Sequence, residues 1–260
     1  GLKEKEEISE DFEAADVGNF MHSLLRDFYS QFLNKRVRLD AETGGYLFEL
    51  KEKKIKEFFP QDTGELFLLS RIIDYKLKNF LKQEAARKEK IKILYLEQEL
   101  PVEPGKITID TISGPVSLRG KLDRVDERIL GKIRKIVILD YKTGVYRLPR
   151  KGVYEDSLVS RQEIKKAIGS FQLPIYIYLF SQSSDIAPQA GLEASFYSLR
   201  DIKEEFLFGQ GHPGNLSALY LEAMKGILAE IMSPDCAFVR DDSDEHYCRW
   251  CHFSALCKRQ

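Results

Sequence analysis

Apolar residues recur every three or four positions through most of the first 90 residues, which is typical of amphipathic helices. This part of the chain predicts three helices, at about residues 12–32, 45–59 and 64–90. Short apolar runs separated by turn residues follow, and they predict four strands, at 93–100, 106–112, 116–127 and 133–141. The turn between the second and third strands is Ser113-Gly114-Pro115. The remaining pattern predicts a long helix at 161–180, a strand at 192–198 and a helix at 215–232.

Helices, then a run of strands, then helices around one further strand predict an α/β fold with a mixed central sheet flanked by helices. Residues 136–139, Ile-Val-Ile-Leu, are apolar at four consecutive positions, as expected of a central strand that is covered on both faces. We interpret the chain as a single domain with three parts. These are a mainly helical part at 1–90, an α/β core at 91–232 and a cysteine-rich tail at 233–260.

The composition is that of a globular protein without a strong overall charge. With 260 residues, of which 43% are hydrophobic, the chain can bury a substantial core. The formal net charge of −1 argues against a general basic coating, so a polyanionic ligand would have to meet a local patch. No apolar run approaches the length that spans a membrane, and the N-terminal residues have no signal-peptide core. We therefore expect a cytoplasmic protein with no membrane partner.

Gly131 and Lys132 mark a β-hairpin turn, because glycine suits the first central position of a type II′ turn. That turn places Asp123 directly opposite Asp140, and side chains at such positions are about 5 Å apart. Lys142 lies on the same strand face as Asp140. Two facing carboxylates repel unless a cation lies between them, and such oxygen ligands suit Mg²⁺ or Mn²⁺. The alternative is that these charged side chains lie on the solvated rim of a hairpin, but here they lie at the end of a strand that is apolar on both faces.

Two further pairs of residues lie four positions apart on predicted helices, so each pair shares one helix face. Gly18 precedes His22, and glycine lets a helix approach another backbone closely. Gln172 precedes Tyr176 on a helix that Pro174 must start or kink. Taken singly, the histidine could lie at the edge of a core, and the second pair could lie on the surface. Glu97 and Glu99 of the first strand could also lie near the site, although outward-facing acids are common on strands.

Taken together and in order, four motifs resemble those of RecB/AddB-type nuclease domains in the PD-(D/E)xK superfamily. They are Gly18-x-x-x-His22, Gly120-Lys121-Leu122-Asp123-Arg124, Leu139-Asp140-Tyr141-Lys142-Thr143-Gly144 and Gln172-x-x-x-Tyr176. The resemblance spans about Gly18–Cys257, nearly the whole chain, and it implies a restriction-endonuclease-like fold.

The resemblance also implies roles for individual residues. The implied metal ligands are His22, Asp123, Asp140 and the Tyr141 carbonyl. The implied catalytic lysine is Lys142, and Gln172 and Tyr176 would complete the catalytic site. The second acid is an aspartate where many superfamily members have glutamate, and both acids bind metal ions.

The expected function is therefore a metal-dependent DNA nuclease, an exonuclease in DNA repair or in end processing during recombination. Its substrate would be DNA with single-stranded ends, and its partner a helicase region or subunit. Cations after the second acidic motif could bind phosphates, although each could equally lie on a solvated helix face. They are Arg147, Arg150, Lys151, Arg161, Lys165 and Lys166. The alternative is a non-catalytic DNA-binding or scaffolding module, but a degenerate copy should have lost an acid or the lysine.

All 4 cysteines lie in the last tenth of the chain, and three form Cys248-x-x-Cys251-x5-Cys257. In a cytosolic protein such clustering favours a metal site over a disulfide, and zinc or an iron–sulfur cluster needs four ligands. Local candidates for the fourth ligand are Cys236, His246 and His252. The resemblance instead implies a [4Fe–4S] cluster in a full-length protein, with the fourth cysteine upstream of Gly1 and this chain a domain excised from a helicase–nuclease. Three buried thiols are the remaining alternative.

Overall fold

The structure, a computed structural model, describes residues 14–60, 63–101, 105–148, 160–183, 191–208, 216–237, 239, 248 and 251. Three helices come first: α1 (Ala14–Ser30), α2 (Ala41–Phe58) and α3 (Gly64–Ala85). Five strands follow: β1 (Lys90–Leu100), β2 (Thr108–Thr111), β3 (Gly114–Ser117), β4 (Gly120–Leu130) and β5 (Ile133–Lys142). The last elements are α4 (Arg161–Ile168), α5 (Gln172–Ser183), β6 (Gly191–Ser198), β7 (Lys203–Phe206) and α6 (Leu216–Met232). No helix within these ranges is long and apolar enough to cross a lipid bilayer.

The predicted mixed sheet is confirmed. Its strand order is β1-β4-β5-β6-β7, with β5 and β6 parallel and the other neighbours antiparallel. The run 136–139 lies on β5, in the middle of the sheet, and all four of its side chains are buried. Strands β2 and β3 form a separate two-stranded sheet.

Successive residues of β5 enter two hydrophobic cores on opposite faces of the sheet, as the alternation of a strand requires. Ile138 packs with the core formed by α4, α5 and α6, whereas Leu139 packs with the core formed by α1, α2 and α3. Burial of each such side chain contributes about 2 kcal/mol to stability. The same alternation directs Asp140 to the α4–α6 face and Tyr141 to the α1–α3 face. The end of β5 therefore meets both helical layers.

The prediction of one long helix at 161–180 is wrong, because the structure has two helices there. Helix α4 begins with a capping box in which Glu163 N donates to Ser160 Oγ (3.3 Å) and Ser160 N donates to the Glu163 carboxylate (3.0 Å). Helix α4 ends at Gly169, whose φ of 69° is in the left-handed region. Pro174 lies in the first turn of α5, where a missing N–H breaks no helical hydrogen bond.

The prediction of one strand at 116–127 is also wrong. The segment forms parts of two strands. Strand β3 pairs with β2 outside the central sheet, whereas β4 belongs to the central sheet. The turn between β2 and β3 comes earlier than predicted, because Thr111 pairs with Gly114 and leaves Ile112 and Ser113 as the turn. Gly114 has a φ of 113°, a conformation that other residues rarely adopt.

Strand β7 was not predicted. Its sequence, Lys-Glu-Glu-Phe, is mostly charged and has no apolar alternation, and the strand is a short edge strand beside β6. Its Glu204 reaches inward, where Arg128 Nη1 donates to Glu204 Oε2 at 2.8 Å. A hydrophobic pattern cannot find a strand whose inward residue is an acid in a buried ion pair.

That ion pair belongs to a buried charged cluster, which we call the arginine cluster. Its members are Glu84, Arg87, Arg124, Asp126, Arg128 and Glu204. Arg124, the last residue of its sequence motif, is 1% exposed and donates to Asp126 Oδ1 at 2.6 Å. Its guanidinium lies 4.0 Å from the centre of the Tyr29 ring of α1. Arg124 thus joins the sheet to the first helix and has a structural role.

Candidate metal centre

The hairpin of β4 and β5 has the predicted register. Arg124 pairs with Leu139 at one end of the ladder, and Leu130 pairs with Ile133 beside the turn. Gly131 has a φ of 60°, and Lys132 is not among the residues with positive φ, as in a type II′ turn. Continuing the register by one pair places Asp123 opposite Asp140. The backbone N–H of Tyr141 donates to Asp123 Oδ2 at 2.8 Å, which holds the first acid beside the end of β5.

Asp140 lies at the centre of a hydrogen-bonded group supplied by β5 and α5. Lys142 Nζ is 2.7 Å from Asp140 Oδ2, and Gln172 Nε2 donates to Asp140 Oδ1 at 2.8 Å. The same amide nitrogen donates to Tyr176 Oη at 2.9 Å, and Lys142 Nζ donates to Gln172 Oε1 at 2.8 Å. Asp140 is only 2% exposed. Burial, followed by the charge of Asp123, raises its pKa from 3.8 to about 6, although Lys142 opposes the shift.

His22 reaches the same strand end from α1. Its Nε2 lies 3.0 Å from the Tyr141 carbonyl oxygen, and its Nδ1 lies 3.3 Å from Asp123 Oδ2. Burial alone would lower the pKa of His22, but the hydrogen bond and charge of Asp123 raise it overall. Both ring nitrogens face acceptors, which suits a protonated ring when no metal is bound. Helix α1 comes this close because Gly18 has no side chain, since a Cβ there would lie 3.3 Å from Thr143 Oγ1.

Glu97 of β1 also lies at the site. Its neighbours pair as Leu96 with Arg124 and Gln98 with Leu122, so Glu97 is opposite Asp123. Glu97, Asp123 and His22 each offer a ligand atom, and these atoms lie within 4.8 Å of one another. The sequence favoured an outward acid at this position. The signal that was missing is the pairing of β1 with β4. These strands are joined through β2 and β3 rather than by a short turn, so spacing does not fix their register.

The backbone of Glu97 has a φ of 51°, in the left-handed region that residues other than glycine seldom occupy. Such a conformation costs about 1–3 kcal/mol, and strained residues of this kind cluster at functional sites. The strain at Glu97 is therefore a second sign that its position serves the site rather than the strand.

The donor atoms fit a hard divalent cation. They are the carboxylates of Glu97, Asp123 and Asp140, an imidazole nitrogen of His22 and the backbone carbonyl of Tyr141. Asp140 Oδ2 is buried, and its contact with Lys142 Nζ lacks hydrogen-bond geometry, so this oxygen has an unused lone pair. Oxygen-rich sites of this kind suit Mg²⁺ or Mn²⁺.

The structure describes four of the six cations that were predicted to bind phosphates, because Arg150 and Lys151 lie outside the described residues. Arg161, Lys165 and Lys166 lie on α4. Arg161 Nη2 contacts Glu230 Oε1 of α6 at 2.6 Å, so part of its charge is balanced within the protein. Arg147 lies against Gly169, where its Cβ would be 3.1 Å from an added side chain. The role of these cations in phosphate binding stays a prediction.

The cysteine prediction is only partly visible. Cys251 N donates to Cys248 O at 3.3 Å, so a short turn brings these two residues together. Cys236 accepts from Arg161 Nη2 at 3.4 Å and lies 3.5 Å from Glu230 Oε1. Other parts of the prediction lie outside the described residues: Cys257, His246, His252 and residues 1–13. The metal or iron–sulfur site of the three cysteines therefore stays a prediction.

The sequence profile of the PD-(D/E)XK nuclease superfamily matches residues 1–258. The chain belongs to this superfamily, as its four motifs indicated. Within it, the chain is similar to one of the subunits of the ATP-dependent helicase/deoxyribonuclease of Clostridium botulinum. The protein of strain Langeland is 25% identical over 215 residues, and that of strain Loch Maree is likewise 25% identical over 215 residues. Each match covers 78% of this chain but only 18% of the relative.

Among solved structures, the chain is similar to the crystal structure of SSO0001. The match covers 93% of this chain and 95% of that one, at 17% sequence identity and a TM-score of 0.31.

Proposed function

We propose that the chain is a divalent-metal-dependent deoxyribonuclease that cleaves phosphodiester bonds from the ends of DNA. The observation that carries this proposal is the convergence of Asp123 of β4 with Asp140 and Lys142 at the end of β5. The relatives are named as deoxyribonuclease subunits, which favours DNA as the substrate. The word helicase in their names supports a further proposal, a helicase region or subunit as partner. We also propose a role in DNA repair or recombination in the cytoplasm.

Metal ligands in this proposal are Glu97, Asp123, Asp140, His22 and the Tyr141 carbonyl. A bound Mg²⁺ or Mn²⁺ would lower the pKa of the attacking water and neutralise charge that develops on the phosphate. Lys142 is held at the site by Asp140 and Gln172. From there its ammonium orients the water and stabilises the negative charge of the transition state.

Gln172 and Tyr176 position the catalytic groups. The Gln172 side chain accepts from Lys142 and donates to Asp140, so one amide fixes both the cation and the acid. Tyr176 Oη accepts from the same amide, which limits rotation of the glutamine side chain. Burial raises the pKa of Tyr176 to about 12, so its hydroxyl stays protonated at neutral pH.

The competing proposal is a DNA-binding or scaffolding module without catalysis. Such a module has no need of a carboxylate whose pKa is raised by burial beside a second carboxylate. The chain keeps both acids, and Asp140, Lys142 and Gln172 are in mutual contact, which favours the enzyme.

Cleavage of end-labelled linear DNA, with circular DNA as a second substrate, tests the proposal. With Mg²⁺ or Mn²⁺ the chain should degrade linear single-stranded DNA and spare circles, and EDTA should stop the reaction. Asp140→Asn should lower the rate at least about 100-fold, since it removes a metal ligand and the anchor of Lys142. Equal rates for parent and variant would refute the site, and metal-independent DNA binding without cleavage would support the scaffolding module.

For the tail we propose an iron–sulfur cluster held by Cys248, Cys251 and Cys257, supported by the turn that joins the first two. The fourth ligand is either one of the local candidates or a residue outside this chain. Protein purified without oxygen should contain iron and sulfide and show visible absorbance that dithionite bleaches. If the protein contains zinc and no iron, the proposed cluster is wrong and the tail holds a structural zinc site instead.

A further inference from the structure

We infer that Lys121 is a phosphate-binding residue that pairs with Glu97 until a metal ion binds and then contacts the nucleic acid backbone. The inference rests on the proposed function, because it requires a metal site and a DNA substrate. Lys121 belongs to the same motif as Asp123, two residues before it, and the catalytic proposal gives it no role.

The direction of the Lys121 side chain is the first observation. In the ladder of β1 and β4, Lys121 is directly opposite Glu99. Its ammonium nevertheless turns diagonally to Glu97, where Nζ lies 2.5 Å from Oε2. Lys121 therefore points toward the metal ligands, away from its own cross-strand neighbour.

Exposure is the second observation. The Lys121 side chain is 51% exposed, whereas the Glu97 side chain beneath it is 17% exposed. The other cations of the two strand motifs face inward: Arg124 is 1% exposed beside Asp126, and Lys142 is 25% exposed on Asp140. Within the described part of these motifs, Lys121 is thus the cation that solvent and a substrate can reach most easily.

Competition for Glu97 follows from this geometry. A divalent ion on the Glu97 carboxylate would lie within a few ångströms of the Lys121 ammonium, and two cations at that distance repel. Because half of the Lys121 side chain is already in water, the ammonium can leave at little cost. Metal binding therefore frees Lys121 at the mouth of the site.

The charge of the loaded site then explains what Lys121 would do. The three carboxylates of Glu97, Asp123 and Asp140 are balanced by one divalent ion together with Lys142. A site that is neutral overall has little attraction for a phosphodiester, which carries one negative charge. Lys121 supplies one positive charge, and an ammonium is a good ligand for phosphate oxygens.

The test compares Lys121→Gln and Lys121→Arg with the parent, using Lys132→Gln at the far end of the same hairpin as a control. The first measurement is Mn²⁺ affinity without DNA, by titration calorimetry. Lys121→Gln should bind Mn²⁺ more tightly, by about threefold or more, because no ammonium competes for Glu97. Loss of a merely structural residue would not strengthen metal binding.

The second measurement is the affinity for a fluorescent single-stranded oligonucleotide in Ca²⁺, with a gel to verify that the DNA stays intact. Lys121→Gln should bind about tenfold more weakly, as expected for one charge-assisted hydrogen bond. The slope of log affinity against log salt should fall in size by about 0.7. Lys121→Arg should restore most of the DNA affinity, and Lys132→Gln should resemble the parent.

Two results would overturn the inference: unchanged or weaker Mn²⁺ binding by Lys121→Gln, or DNA binding by this variant equal to that of the Lys132→Gln control. If the parent binds Mn²⁺ and cleaves DNA while Lys121→Gln matches the control, the proposed function stands and the role of Lys121 is wrong. If the parent neither binds Mn²⁺ nor cleaves DNA, both are wrong.

Discussion

At the scale of the residue, Asp140 shows that the site is held at a cost to stability. Its carboxyl group is buried beside Asp123, and these two factors raise its pKa from 3.8 to about 6. A raised carboxyl pKa means that the folded state favours the protonated acid. Above pH 6, where the group must ionise, the folded state is less stable than it would be with a neutral side chain.

Asp140→Asn should therefore stabilise the metal-free protein at pH 8. The gain should be about 1–3 kcal/mol, and it should shrink as the pH falls from 6 to below 4, where the acid of the parent is protonated in both states. Urea unfolding in EDTA at several pH values measures this difference. A variant that is less stable than the parent at pH 8 would show that Lys142 and Gln172 stabilise the carboxylate more than burial penalises it.

The residues of the site differed in how readily the sequence revealed them. Asp123, Asp140 and Lys142 could be related by spacing because a two-residue turn fixes the register of one hairpin. Glu97 could not be, because β1 and β4 are joined through β2 and β3 rather than by a short turn, so spacing does not fix their register. Its contact with Asp123 and His22 depends on tertiary pairing, which has no local signature.

At the scale of the element, the packing of α5 on β4 sets the position of Gln172 and Tyr176. A Cβ at Gly120 would lie 2.9 Å from Leu179 Cδ1 and 3.2 Å from Tyr176 Cε1. Helix α5 therefore needs glycine at the start of β4. This glycine could be singled out from the sequence because it belongs to a motif. The helix break at Gly169 could not be predicted, because the apolar periodicity continues on both sides of it.

Gly120→Ala should lower stability by about 1–3 kcal/mol and displace Tyr176, as overpacking does in a close-packed core. The control is Gly226→Ala in the interior of α6, where nothing lies within 4 Å of the added Cβ. That change should stabilise by about 0.5–1 kcal/mol, because alanine favours a helix. Thermal unfolding measures both, and a Gly120→Ala variant as stable and active as the parent would contradict the close approach.

The arginine cluster ties edge strand β7 to β4 and should make the fold sensitive to acid. Burial alone would raise the pKa of Glu204, but Arg128, Arg87 and the Ser195 hydroxyl lower it from 4.5 to about 2. A lowered carboxyl pKa gives stability that is fully present above pH 4.5 and is lost as the pH falls toward 2.

Glu204→Gln should cost about 3–5 kcal/mol at pH 7, because it leaves two buried guanidinium groups short of an acid. The difference from the parent should narrow between pH 4.5 and pH 2. Glu205→Gln, on the same strand but near the surface, should change stability by less than about 1 kcal/mol. Chemical denaturation across this pH range separates the two, and equal effects of both variants would rule out the buried ion pair as a source of acid sensitivity.

At the level of the whole molecule, the candidate metal centre lies where both helical layers meet the end of β5. His22 comes from the α1–α3 layer, and its Nε2 contacts the carbonyl of a residue 119 positions away. Gln172 comes from the α4–α6 layer and contacts Asp140. Helical spacing predicted which residues share a face, but not what each face contacts. The contacts of each face could be expected only because the four motifs, taken in order, resemble those of a known nuclease fold.

We propose that this convergence binds a divalent metal ion, and a Mn²⁺ anomalous difference map from crystals of the protein would locate that ion. We expect one strong peak about 2.0–2.3 Å from carboxylate oxygens of Asp123 and Asp140 and from the Tyr141 carbonyl oxygen, with His22 Nε2 turned toward the ion. In Asp140→Asn the peak should weaken or vanish. A peak far from His22 and the two aspartates, or none at a Mn²⁺ concentration that supports DNA cleavage, would contradict the claim.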